Sequence, residues 1–256
     1  TAELDNRHAI SVRSAQSDPA LAARAVLVMT PILLVTGPLD GHVALVEEAV
    51  RIAAPLDPGL RARLLRVRGD MRRIRARYDE GEADLVAARG LAEEAADRVL
   101  VAQILSDLCR LRSDRGAVAL AEAAALELDA LSASLGDRRL RAAALGALGR
   151  ARSHRPEQRV EAQGLLETAL RAHEELGLLG ESVLLMQTLA VSYAESLRHG
   201  EATALFSKAH ALHQELGNRR GQASTLANLG LLSLQLGAFS EAEAALSRSL
   251  RMHRRL

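Results

Sequence analysis

Aromatic residues are nearly absent from this sequence, with two Tyr, two Phe and no Trp in 256 residues. A compact domain of that length builds its core around several aromatics, so the core here must be aliphatic, mostly Leu, Ala and Val. Lysine is almost missing too: Lys208 is the only one among 33 basic residues. Such arginine-, alanine- and leucine-rich usage points to a high-GC bacterial genome more than to any particular chemistry. Cysteine occurs once, at Cys109, which excludes an intramolecular disulfide and favours a cytoplasmic location. The 33 basic and 32 acidic residues leave a net charge of +1, so nothing global implies nucleic acid or a membrane surface. The most apolar run, residues 25–35, is broken by Thr30 and Pro31 and is too short to span a bilayer. There is no Gly-Lys-Ser phosphate loop, no dinucleotide glycine fingerprint and no nucleophile elbow. No enzyme, cofactor or metal is therefore expected. The chain opens on Thr1 without a signal-peptide pattern and reads as part of something longer.

What is present is helical. Ala and Leu are strong helix formers, and no β-branched run is bounded by turns as a strand would be. The clearest unit is Gly221–Leu250: a helix (STLANLGLLSLQLG), a tight turn at Gly237-Ala238, and a second helix (FSEAEAALSRSL). Small residues stand where two helices must approach, Gly230 in the first and Ala242 in the second. The same pairing recurs backwards as Ala190 with Ala202, Gly149 with Ala162, Cys109 with Ala121, Gly69 with Gly81, and Met29 with Gly41. The first-helix series steps by 40, 40, 40, 41 and 40. The single extra residue falls in the turn Ser153-His154-Arg155-Pro156, where an insertion costs little. A second series shares the period: Leu45, Leu85, Ala125, Leu166, Phe206 and Leu246. Gly136, Gly177 and Gly217 end helices between repeats, where a left-handed residue is needed.

The layout is all-α: one leading helix within residues 1–17, then helix pairs over 18–57, 58–97, 98–137, 138–178, 179–218 and 219–256. Together these read as one elongated domain over 1–256. Each pair can bury its apolar stripe only against its neighbours. Pro31 lies inside the first helix of the first pair and should kink it near Leu27. The last helix, with nothing following it before Leu256, is expected to expose apolar residues, which makes it a candidate for self-association.

On the strength of this repeat, residues 20–256 resemble tetratricopeptide repeat proteins, most clearly over 148–250. The resemblance implies a right-handed α-solenoid of about six hairpins whose first helices line a concave groove. The period of about 40 exceeds the usual 34 and adds roughly 9 Å of helix per unit at ~1.5 Å per residue. The N-terminal residues 2–6 (AELDN), 18–22 (DPALA) and 37–41 (GPLDG) resemble the junction in bacterial signal-transducing ATPase (STAND) regulators. In that family an ATPase and winged-helix module leads into a C-terminal tetratricopeptide sensor that binds an inducer or a partner protein. Arg7-His8 depart from that pattern, and no ATPase residue is present here.

Within such a groove the arginine-rich stretch 61–77 stands out. Counted from Gly69, Arg63, Arg66, Asp70, Arg73 and Arg77 should face inward, and the position of Asp70 is taken by Arg110 and Arg150 in the next two pairs. A strip of this kind suits carboxylate or phosphate, which Arg binds through two donors. The blander reading is a solvated face neutralised by Glu80, Glu82, Asp84, Glu93 and Glu94. Asn228, preceding Leu229-Gly230, carries both a donor and an acceptor with which to hold a peptide backbone. His173, His213 and His253 recur every 40 residues, but equivalent positions on packed helices stay about 8–10 Å apart, too far to share a zinc ion. They read as repeated polar helix ends. Cys109 occupies a small-residue packing slot. The spaced Lys and Asn set of chaperone-binding tetratricopeptide domains is missing. The expected partner is a protein or peptide with an acidic component, the alternative being a small-molecule inducer, with no nucleic acid or membrane contact.

Overall fold

A computed structural model describes residues 18–36, 39–53 and 57–254. The leading helix expected within residues 1–17 lies outside the described residues. So do Gly37 and Pro38 of the N-terminal resemblance. The described residues form twelve α-helices and one short 3-10 turn, with no strand among them. In chain order the helices are α1 (Pro19–Thr36), α2 (Leu39–Ala53), α3 (Pro58–Ile74), α4 (Tyr78–Glu94), α5 (Arg98–Asp114) and α6 (Val118–Leu135). They continue as α7 (Arg138–Ser153), α8 (Arg159–Glu175), α9 (Leu179–Glu195), α10 (His199–Glu215), α11 (Arg219–Gln235) and α12 (Phe239–His253). The fold is an all-α array of helix hairpins of the solenoid class. It divides into two compact units, one ending at Leu135 and one beginning at Gly136.

The helix starts have a common chemistry. Asp57 accepts from the Gly59 and Leu60 amides, with Pro58 at the first helical position. Asp97 accepts from Leu100, Asp137 from Arg139 and Leu140, and Asn218 from Gly221. A short acceptor thus recurs at the start of α3, α5, α7 and α11, satisfying amides that have no partner within the helix.

Helix ends repeat as well. The Arg77 amide returns to the Arg72 carbonyl, Ala117 to Arg112, Leu178 to His173 and Ala238 to Ser233, each after a residue with φ near +60 to +80°. Glycine fills that position at Gly116, Gly136, Gly177, Gly217 and Gly237, but Ala76, Ala96 and Leu197 take it with a side chain. A left-handed non-glycine residue costs about 1–2 kcal/mol, of which glycine's greater freedom in the unfolded chain gives back part. Leu197 is 78% exposed, so trimming it removes little packing. Leu197→Gly should therefore raise stability by about 0.5–1 kcal/mol in urea denaturation; a lower midpoint would contradict the strain argument.

In the first unit the core is aliphatic: Leu64, Leu85, Leu100, Ile104, Leu105, Leu108, Leu111 and Leu128 are essentially sealed from solvent. Close approach is tightest between α3 and α4. A Cβ at Gly69 would lie 2.8 Å from Leu85 Cγ and 3.0 Å from the Gly81 carbonyl oxygen, and one at Gly81 would lie 3.0 Å from the Gly69 oxygen. In the second unit Gly149 meets Leu166 and the Ala162 oxygen, and Gly230 meets Leu246 and the Ala242 oxygen. Phe206 and Tyr193 join the aliphatic core there. The extra residue of the 41-residue step is absorbed by the 3-10 turn Pro156–Gln158 between α7 and α8.

The first hairpin departs from the expected pattern. Among the described residues, a Cβ at Gly41 would meet nothing within 4 Å, unlike the contact glycines of the later hairpins. Its neighbour His42 is buried instead, and burial lowers that imidazole to about 4. Helix α1 runs from Pro19 to Thr36 with Pro31 inside it, as the sequence places it.

Candidate binding face

Helices α3 and α5, the first helices of neighbouring hairpins in the first unit, pack together and bring most of the arginine strip into one place. It is not a row of free cations. Arg66 donates to Asp107 at 2.5 Å and to Gln103 at 2.7 Å, and Arg73 to Asp70 at 2.9 Å and Asp114 at 2.6 Å. Arg110 bridges Asp70 and Asp107 at 3.1 and 2.6 Å, and Arg63 reaches the helix-capping Asp97 at 2.7 Å. The result is an alternating ladder along the α3–α5 seam.

Burial alone would raise Asp70, but Arg110 and Arg73 outweigh it and hold the carboxyl at about 2. Burial likewise works against the Arg110 charge, and Asp70, Asp107 and Asp114 overcome it. Each guanidinium of this ladder already has a carboxylate, so an acidic ligand would have to displace one.

Arg77 sits elsewhere. Helix α3 stops at Ile74, and Arg77 is the residue that starts α4, where it clasps Glu80 in a two-donor pair. Of the acids foreseen as neutralising the stretch 61–77, Asp84 receives Arg68 and Arg72 and Glu80 receives Arg77, whereas Glu82 receives Arg112 and Arg115 of the next hairpin. The carboxylates of the α3–α5 seam, Asp97, Asp107 and Asp114, escaped sequence reasoning. For Asp107 and Asp114 the signal is an offset of one period plus one, since they lie 41 residues beyond Arg66 and Arg73. Residues on neighbouring first helices meet across that seam.

The corresponding face of the second unit keeps Arg150 but is otherwise uncharged at these positions. Helices α7, α9 and α11 pack in sequence there. The position of Asp70 and Arg110 becomes Arg150, then Val191, then Leu231, and the position of Asp107 becomes Asn228. Val191, Leu231 and Leu234, one turn beyond, are 41, 52 and 47% exposed. Gln187, which stands where Arg66 does, donates to Thr225 Oγ1 at 2.6 Å and ties α9 to α11. Asn228 is half-buried on the same helix, and Arg150 is half-buried on α7. The two units therefore present different surfaces at equivalent positions: a neutralised ionic seam in the first, and, past Arg150, apolar side chains beside amides in the second.

His173 and His213, foreseen as polar helix ends, are buried at the ends of α8 and α10. Cys109 is fully buried in α5, as its packing slot requires. Among the described residues no cluster of three metal-binding side chains occurs, and no helix is long and apolar enough to cross a membrane.

Hairpins with close-approach residues at a fixed period define the class of the tetratricopeptide solenoids. Residues 182–255 match the family model of the tetratricopeptide repeat. No protein of curated function matches the sequence. The chain resembles a Rap protein complexed with competence and sporulation factor, at a TM-score of 0.74 and 12% identity, over 98% of this chain and 77% of that one. NprR in complex with its cognate peptide NprX gives 0.71 and 12%, over 100% and 75%. A signal transduction ATPase with numerous domains and a tetratricopeptide repeat sensor, from Pyrococcus horikoshii, gives 0.59 and 14%, over 94% of this chain but 36% of that one. At such identities the likeness is one of fold.

Proposed function

We propose that this chain is a non-enzymatic interaction module, the regulatory part of a larger bacterial signalling protein. Its ligand is a protein or peptide segment held on the face formed by α7, α9 and α11. The observation that carries the reading is the trio Val191, Leu231 and Leu234, exposed beside Gln187 and Asn228. Exposed apolar side chains next to amides suit an extended segment, which needs both pockets for side chains and donors and acceptors for its backbone. Of the proteins of similar fold, NprR is in complex with its cognate peptide and the Rap protein with competence and sporulation factor, which supports the same use of this scaffold.

On the first unit by itself, Arg63 and Arg77 have the most exposed side chains of the arginine-rich stretch and are the ones open to a separate acidic segment. Arg66, Arg73 and Arg110 serve the ladder instead.

Selection of binders from a random peptide library against the full chain tests this. Recovered peptides should be rich in apolar residues, and Leu231→Glu should weaken them at least tenfold, as for a central contact residue. Arg63→Glu with Arg77→Glu should weaken only acid-bearing peptides that dock on the first unit, and leave those lost in Leu231→Glu unchanged. Peptides that bind Leu231→Glu as well as the parent would overturn the assignment. The second reading, a small-molecule inducer site of a STAND-type sensor, rests on the N-terminal resemblance and predicts a thermal shift with a metabolite. Self-association through α12, where Phe239 and Leu250 are exposed, predicts a sedimentation coefficient that grows with concentration.

A further inference from the structure

Two histidines one repeat apart occupy the same slot in opposite surroundings. His173, at the end of α8, is 3% exposed; its Nδ1 meets the Ala169 carbonyl at 2.8 Å and its Nε2 lies 3.6 Å from Glu181 of α9. His213, at the end of α10, is 7% exposed, and neither of its ring nitrogens meets a hydrogen-bond partner or solvent. The position equivalent to Glu181 is Gly221 on α11. The His213 ring lies against that glycine so closely that a Cβ there would fall 2.2 Å from its Cε1. Where one junction supplies a counter-charge, the next supplies bare backbone.

We propose that the α10–α11 junction is an acid-triggered release point, opened when His213 takes up a proton, while the α8–α9 junction is held closed by His173 and Glu181. An imidazolium sealed from water with no acceptor is among the more costly groups a fold can contain. Opening the junction lets water solvate it. The surroundings of His213 add nothing to offset that cost. On its own helix it faces His210, whose Nδ1 is also buried without a partner. From α11 come the Gly221 backbone and the Gln222 amide, which is spent on the His213 carbonyl at 3.2 Å. Arg248 of α12 acts on His210, disfavouring its charge in turn. From α9 and α11, the helices packed on α10, no carboxylate acts on the ring.

The directions follow. Burial first, and His210 second, lower His213 below 6.5. The closed junction therefore keeps its full stability above the ordinary histidine value and loses it as pH falls below that value. For His173, burial pulls downward, but Glu181 and the Ala169 carbonyl prevail and raise it. Its contribution is complete at low pH and is lost as pH rises through the raised value. Acidification thus strengthens one junction and weakens the next.

Hydrogen exchange of the full chain, read by mass spectrometry and normalised for the intrinsic pH dependence of exchange, resolves the two junctions. Between pH 7.5 and 5.5 the opening constant of peptides from α11 should rise up to about tenfold, while that of α9 peptides should not rise. His213→Phe should abolish the rise in α11. Glu181→Gln, which removes the counter-charge from His173, should transfer acid sensitivity to the α8–α9 junction. An α11 opening constant indifferent to pH, or the same rise in His213→Phe, would overturn the proposal. Should His213→Phe not fold, Glu181→Gln decides alone: an α8–α9 junction still insensitive to acid would count equally against it.

Discussion

Asp84→Ala is expected to destabilise the first unit by about 3–5 kcal/mol, the cost of removing one partner from a buried ion cluster. The Asp84 side chain is 6% exposed and accepts three charge-assisted hydrogen bonds. Arg68 grips it with two donors, at 2.8 and 2.6 Å, and Arg72 adds a third at 2.7 Å. Both guanidinium groups belong to α3 and the carboxylate to α4, so the cluster bolts the hairpin together beside the Gly69–Gly81 approach. The Asp84 hydrogen bond raises Arg68 further above its ordinary value, more than offsetting burial. Without the carboxylate, among the described residues Arg68 keeps no partner of comparable strength, and Arg72 retains Glu80.

A surface pair makes the control. Arg138 and Glu175 lie 3.8 Å apart with side chains 78 and 67% exposed, and Glu175→Ala should change stability by no more than about 0.5 kcal/mol. Replacing Arg68, Asp84 and Arg72 together with apolar residues of similar volume should recover most of what Asp84→Ala loses, since no buried charge is then left alone. Urea denaturation of the three variants is sufficient. Equal midpoints for Asp84→Ala and Glu175→Ala would show that solvent reaches this cluster far better than its burial indicates.

The scaffold was legible because its determinants are local and repeated. A small residue every 40 positions on each helix is a steric requirement, and Gly69, Gly81, Gly149 and Gly230 stand where a Cβ would collide. The capping Asp and the left-handed glycine recur at the same spacing for the same reason. Gly41 fits the series by identity and spacing, yet none of the described residues comes within 4 Å of a Cβ there, because a glycine in sequence does not reveal whether anything approaches it.

The face was harder to read. An arginine strip is visible in one dimension, but its neutralising carboxylates come from the next hairpin, and only the seam between α3 and α5 pairs Arg66 with Asp107 and Arg73 with Asp114. The same seam explains why the Arg66 and Asp107 positions become Gln187 and Asn228 in the second unit: the charges change together. Val191 and Leu231 drew no notice in sequence because exposed apolar residues look like core residues until their surroundings are known.

Glycines of opposite character in the same hairpin give the other large effect. Gly69→Val should destabilise by at least about 3 kcal/mol, toward or beyond the upper end of what overpacking usually costs. A Cβ at this position already lies 3.0 Å from the Gly81 carbonyl oxygen, which is backbone and cannot rotate away, and 2.8 Å from the branch carbon of Leu85. Relief requires α3 and α4 to separate, which would also stretch the Arg68–Asp84 contacts between them. Other hairpins show what separation looks like: Ala190 and Ala202 both carry a Cβ at the equivalent positions and are both fully buried. That arrangement was reached with two alanines and a different set of neighbours, so Gly69→Ala should still cost about 1–3 kcal/mol here.

Gly90, in α4 of the same hairpin, has nothing within 4 Å of a would-be Cβ. There the change is decided by helix propensity alone, and Gly90→Ala should stabilise by about 0.5–1 kcal/mol. The two alanine substitutions add the same atoms to the same hairpin, so composition and unfolded-state effects largely cancel between them. Opposite signs in thermal or urea denaturation are the expected result. If Gly69→Ala were as stabilising as Gly90→Ala, the close approach of α3 and α4 would not be the constraint that spaces this chain's repeats.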